Sequence, residues 1–152
     1  MNLDFHKLLL KHLKAVYFSV FVVKFYQKMI HHTFRYTTNL LSNALKYSKQ
    51  NTAPHISISL SIVGNSDVKG YSEHSAKNYY RIKVTDNGIG FPEEQALNIF
   101  EPFKRLHAKD KYEGTGIGLA ICKKIASKHK GFITANSILD QGATFNLYLP
   151  VS

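Results

Sequence analysis

Every glycine and every proline of this 152-residue chain lies at or after Pro54, so the first third lacks the two residues that most readily turn or break a backbone. A stretch of that length without them reads as one or two long helices. After Pro54 the nine glycines and four prolines punctuate short segments. HISISLSIV, residues 55–63, alternates, with Ile56, Ile58, Leu60 and Ile62 on one side and serines on the other, as a half-buried strand does. The polar, glycine-containing residues 64–77 make a hairpin loop into a second strand over 78–85, with Tyr80, Ile82 and Val84 inward. Pro92 followed by Glu93 and Glu94 suits the first turn of a short helix reaching about Phe100. Residues 101–115 are too polar for core and too long for a tight turn, and read as a mobile loop. A helix over 117–129, stopped by Gly131, precedes two alternating segments joined at Asp140-Gln141-Gly142. The expected fold is α+β: a two-layer α/β sandwich whose mixed, mostly antiparallel sheet is covered by helices on one face.

The apolar content of 44% is that of a globular domain. The formal charge of +10 raises the question of a nucleic-acid partner, but its distribution answers against one. Residues 1–53 hold eight basic side chains against Asp4 alone, and the remainder holds twelve against nine. No basic patch interleaved with aromatics follows. The apolar run AVYFSVFVV, residues 15–23, is far short of the ~20 residues a spanning helix needs. It reads as a buried or interface helix, with membrane contact by this segment left open. The single Cys122 cannot form an internal disulfide and suggests a reducing, cytoplasmic setting.

Three segments carry chemistry. On a helix, NLLSNALKYS (39–48) places Asn39, Asn43 and Lys46 on one face, two amides and an amine converging. An amide oxygen can complete an octahedral Mg²⁺ site made otherwise by waters and phosphates, although an ordinary amphipathic helix shows the same pattern. VTDNGIGFP (84–92) sets Asp86 at a strand end before Gly88 and Gly90. Its carboxylate can accept from the exocyclic amine of adenine while the glycines allow close approach of a base; a plain Asp-Asn-Gly turn is the simpler alternative. GTGIGLA (114–120) opens a helix whose free N–H groups face an anion. It is neither a P-loop nor a dinucleotide fingerprint, since no Gly-Lys-Ser/Thr follows and Leu119 occupies the last glycine position.

Taken together and in order, these segments resemble the N, G1 and G2 boxes of histidine kinases of the Bergerat, or GHKL, superfamily. IFEPFKRLH resembles the F box and Gly142-Ala143-Thr144-Phe145 the final glycine box. The resemblance covers residues 37–150 and is strongest to PAS-linked and phytochrome-like sensor kinases. It implies a catalytic domain over 31–152 that binds ATP and Mg²⁺, with a lid at about 101–115 and a divergent helical segment over 1–30. By position, it implies Asn43 as the metal ligand, Asn39 and Lys46 by the phosphates, Tyr47 packed on adenine and Asp86 reading its amine. Gly88 and Gly90 would line the base. Gly114, Gly116 and Gly118 would form the lid hinge and phosphate cradle with Thr115 and Leu119 beside them, and Thr144 would reach the base through water. Phe100 and Phe103 would anchor the lid's first segment, or serve simply as core aromatics.

The family's phospho-acceptor histidine is usually followed by an acidic residue, and none of the eight histidines here is. The resemblance therefore implies a partner: a dimerisation and phosphotransfer domain, upstream or in trans, and through it a response regulator receiver. The competing function is a clamp ATPase of the same superfamily, which carries a Glu four residues before the metal-binding Asn. Here that position is Asn39, and an amide cannot take a proton. A non-catalytic nucleotide-binding module is the third reading.

Overall fold

A computed structural model describes residues 21–68, 76–104 and 115–151, with side chains from Phe34 onward. Helix α1 spans Phe21–Lys46, the uninterrupted helix expected of a segment without glycine or proline. Tyr36, Leu40 and Ala44, each four apart, are buried on one stripe. The helix ends where the Ser48 hydroxyl donates to the Leu45 carbonyl at 2.8 Å, satisfying one of the acceptors a helix terminus leaves open. The apolar run of residues 15–23 lies mostly outside the described residues. Among these, no helix is long and apolar enough to cross a membrane.

Four strands follow: β1 Ile56–Gly64, β2 Asn78–Asp86, β3 Phe132–Ile138 and β4 Gly142–Pro150. Helix α2, Gly118–Lys128, precedes β3. The sheet order is β1-β2-β4-β3, and every pairing among the described strands is antiparallel. Alternation sorts side chains onto two faces. Ile56, Ile58, Ile82, Val84, Phe145, Leu147, Leu149, Ile133 and Ala135 pack toward α1 and toward Cys122, Ile125 and Ala126 of α2. These are the two layers the sequence implies.

Several local expectations are corrected. Ile62 is 56% exposed, because it pairs with Tyr80 near the end of the edge strand, where the core runs out. Tyr80 is only half-buried, whereas its neighbour Tyr79 is 1% exposed on the opposite face. There Tyr79 meets Phe132 edge-on at 5.6 Å, Phe132 stacks on Tyr148 at 4.6 Å, and Val68 closes a second, smaller core. The short helix expected after Pro92 is instead two 3-10 turns, Glu93–Gln95 and Asn98–Phe100. Only the adjacent pair Ile99 and Phe100 is buried there, which is not the spacing of an amphipathic α-helix.

The end of α2 also differs from expectation. Lys130, not Gly131, takes the left-handed conformation, with φ 55°. Its N–H donates to the Ser127 carbonyl at 3.0 Å, and that of Gly131 to the Ala126 carbonyl at 2.9 Å, the paired bonds of a Schellman turn. Gly131 is required for another reason: a Cβ there would lie 2.0 Å from the Tyr148 carbonyl oxygen.

Candidate nucleotide-binding cleft

The C-terminal turns of α1, the segment after β2, the start of β4 and the N-terminus of α2 meet around a two-chambered cleft. The first chamber is lined by Phe91, Ile99, Leu119, Ala143 and Phe145, together with Asp86 and Gly90. The second is lined by Asn39, Ser42 and Lys46 from α1 and by Thr115, Gly116 and Gly118 at the start of α2. Asn43, Tyr47, Lys104, Ile99 and Leu119 border both. An apolar slot thus opens directly into a polar space.

Asp86 is the one carboxylate lining the apolar chamber. Its Oδ1 accepts the N–H of Gly88 at 2.9 Å and that of Ala143 at 3.3 Å. Both bonds end on one oxygen, so among the described residues no hydrogen bond reaches Oδ2. Burial pushes the Asp86 carboxyl above its ordinary value, and the two backbone donors oppose that shift. The loop is held tightly around it. The Ile89 N–H donates to the Tyr47 carbonyl at 2.9 Å, joining it to the end of α1. A Cβ on Gly88 would lie 2.5 Å from that same carbonyl oxygen. Gly90, with φ 61°, passes so near Ile138 that a Cβ would meet its carbonyl oxygen at 2.2 Å. Their role is close backbone approach, and Gly88 supports the chamber without lining it.

On the polar side, Asn43 stands at the junction of the chambers, and among the described residues no hydrogen bond holds its amide. Lys46 Nζ lies 4.6 Å from the centre of the Tyr47 ring, a cation over an aromatic face at the border of the two spaces. Asn39 lines the polar chamber, but its amide nitrogen donates to the Gly118 carbonyl at 3.2 Å and to Cys122 Sγ at 3.9 Å. It therefore clasps α2 to α1 as well as facing the chamber. Gly116 takes φ 70° and accepts the Phe103 N–H at 3.1 Å, turning the chain into α2.

The structure does not gather every residue singled out from sequence. Phe100 is buried in the core behind Ile99, the core-aromatic alternative, and Phe103 is 76% exposed. Thr144 lines neither chamber; its hydroxyl lies 3.1 Å from that of Thr85, in a separate, more open cavity that Asp86 also borders. Its neighbour Ala143 faces the cleft instead, as strand alternation from Phe145 requires. Gly114 and most of the expected lid lie outside the described residues. Conversely, Phe91, Ile99, Ala143, Phe145, Ser42 and Lys104 line the cleft without having been singled out. All six fall within the boxes quoted from the sequence, so position within a box is a signal for each, although none has a side chain of unusual chemistry there. Among the described residues no cluster of His, Cys, Asp or Glu forms a metal site.

A family model described as "Histidine kinase-, DNA gyrase B-, and HSP90-like ATPase" matches residues 30–152. Cyanobacterial phytochrome A of Nostoc sp. is 40% identical over 113 residues, 74% of this chain and 13% of that protein. The adaptive-response sensory kinase SasA of Synechococcus sp. is 38% identical over 113 residues, 74% of this chain and 26% of its own length. The chain thus spans about a quarter or less of these curated relatives. Among solved structures, mycobacterial sensor histidine kinase MprB superposes with a TM-score of 0.58 at 25% identity, covering 76% of this chain and 68% of that one.

Proposed function

The chain belongs to the family of histidine kinase-, DNA gyrase B- and HSP90-like ATPases, and from that membership we propose that its cleft binds Mg-ATP and presents the γ-phosphate to a histidine carried by a separate dimerisation domain. The observation that carries this reading is a half-buried carboxylate, Asp86, lining an apolar slot that opens into a polar, glycine-edged chamber.

Adenine fills the apolar slot between Phe91, Ile99, Leu119 and Phe145, and Asp86 Oδ2 accepts its exocyclic N–H. The triphosphate then passes Asn43 and Tyr47 into the second chamber. There the open N-terminus of α2, with Thr115, Gly116 and Gly118, offers backbone donors, and Lys46 and Lys104 offset phosphate charge. The Asn43 side-chain oxygen fits Mg²⁺, being a hard neutral donor with no competing bond among the described residues. When bound, the ion neutralises phosphate charge that the lysines alone leave in excess. Asn39 keeps α2 against α1 and so holds the cradle in place.

The kinase reading is favoured over a clamp ATPase because position 39, one turn before Asn43, holds an amide already donating to α2, not a carboxylate able to deprotonate water. The relatives named as sensory and sensor histidine kinases favour it too. Its partners are then a dimerisation and phosphotransfer domain and, through it, a response regulator, in the reducing cytoplasm suited to a buried thiol.

Calorimetry of the chain with ATP, with and without Mg²⁺, and again with Asn43→Ala, tests the site. Metal-dependent affinity that the mutant loses supports it, and equal affinities in all cases would reject Asn43. Incubation with γ-labelled ATP tests the chemistry. Acid-labile label should appear only when a histidine-bearing dimerisation hairpin is added; brisk turnover by the chain alone would instead mark a clamp ATPase.

A further inference from the structure

We propose that Ser137 is a positioning residue for the base-reading carboxylate, a role that rests on the nucleotide reading above. Ser137 sits at the end of β3, 5% exposed, and pairs with Ala143 across the turn. Its hydroxyl donates to the Gly142 carbonyl at 2.7 Å and accepts the Phe91 N–H at 2.8 Å. Each of these partners is a direct neighbour of the site: Phe91 walls the base chamber, and the Gly142 carbonyl belongs to the peptide unit that continues as the Ala143 N–H.

That unit is planar and trans, so its C=O and its N–H point in opposite directions from one rigid body. Ser137 grips the oxygen; the N–H on the other side donates to Asp86 Oδ1 at 3.3 Å. A continuous chain of donors results, from the Phe91 N–H through the Ser137 hydroxyl and the Gly142–Ala143 peptide to the carboxylate. Each bond in such a chain polarises the next. With Oδ1 anchored, Oδ2 is oriented toward the base.

The surrounding backbone explains why a side chain is needed for this. Gly142, with φ 98°, lies so close to β2 that a Cβ would meet the Asp86 carbonyl oxygen at 2.0 Å. At Gly90 a Cβ would lie 2.9 Å from Ser137 Oγ itself. Two glycines permit the close approach but supply no side chain to stiffen it, and the hydroxyl between them does.

A merely structural serine and a positioning one part company over which nucleotides are affected. The chain would be titrated with ATP and with purine riboside triphosphate, which lacks the exocyclic amine, both with Mg²⁺. Wild type should prefer ATP. Ser137→Ala should weaken ATP by about tenfold, the scale of one well-placed hydrogen bond to a charged group, while changing the amine-free nucleotide less than about twofold. Ser137→Cys, which keeps a donor that bonds more weakly on a slightly larger side chain, should fall between, and it decides the question by the same ratio if the alanine variant does not fold. An equal loss for both nucleotides, or no loss for ATP, overturns the proposal. A wild type that binds both equally would instead show that Asp86 does not read the amine, which is a separate failure.

Discussion

Asp86→Asn separates what the carboxylate does for the ligand from what it does for the fold. Asparagine retains an oxygen, which can still accept the Gly88 and Ala143 N–H groups that now meet Oδ1 at 2.9 and 3.3 Å. In place of Oδ2 it presents an NH₂, so a donor faces the adenine amine. A charge-assisted hydrogen bond contributes about 1.5–3 kcal/mol, which corresponds to roughly ten- to a hundredfold in affinity, and the donor-donor contact adds to the loss. Stability should move the other way. Burial, the larger influence, holds the Asp86 carboxyl above its ordinary value despite the two backbone donors, so folding favours its protonated form. Its stabilising contribution is therefore present at acid pH and is lost as pH rises through that raised value. Asparagine has nothing to ionise, so its stability relative to wild type should improve from acid to neutral pH. Calorimetric titration with Mg-ATP and thermal melts across that range measure both effects. A mutant that binds ATP within about twofold of wild type refutes the role of Asp86, and a pH-independent difference in melting refutes the electrostatic account.

Two further perturbations test the backbone that builds the site. Gly142→Ala puts a Cβ 2.0 Å from the Asp86 carbonyl oxygen at φ 98°, and should cost at least about 3 kcal/mol in chemical denaturation and weaken ATP binding with it. Lys130→Gly relieves a lysine held at φ 55° in the turn after α2, and should stabilise by about 0.5–1 kcal/mol with ATP affinity unchanged; a destabilised variant would refute the turn assignment. Cys122, whose thiol burial pushes up to about 12, should resist alkylation at pH 8 in the native chain and react once it is unfolded.

The parts of this molecule that were legible in sequence are those where one local rule acts alone. The absence of glycine and proline before Pro54 announced α1, and the alternation from Ile56 to Leu60 announced a strand with one face buried. The boxes pointed to Asn43, Asp86, Gly90, Gly116 and Gly118, which the fold gathers around one cleft, because each spacing encodes a backbone geometry. Where two surfaces compete for one strand, local rules fell short. Tyr80 has the right alternation for the main core, but Tyr79 is taken up by Phe132 and Tyr148 from strands more than fifty residues away, under Val68. Nothing within ten residues of Tyr79 carries that information. Lys130 is a similar case: Gly131 is the natural helix stop by composition, yet the approach of β4 claims the glycine and leaves the left-handed residue to a lysine.

The cleft shows the same division between residues that meet a ligand and residues that place them. Asp86 and Asn43 announce themselves because their chemistry is unusual where it stands. Phe91, Ala143 and Ser137 do not, being an ordinary phenylalanine, alanine and strand serine. Yet the Asp86 carboxylate is useful only with one oxygen restrained and the other open, and the restraint comes from Gly88 two residues on and Ala143 fifty-seven residues on. The first of those bonds is local and follows from an Asp-x-Gly turn. The second exists only because β4 pairs with β2, in a register that sets Thr144 opposite Thr85 and so brings Ala143 beside Asp86. A one-residue slip in that register would turn Ala143 away and bring the Thr144 side chain into the cleft, since alternate residues face opposite sides of a sheet. The pairing of Phe145 with Val84 in the buried core excludes that slip and leaves the Thr144 hydroxyl beside that of Thr85.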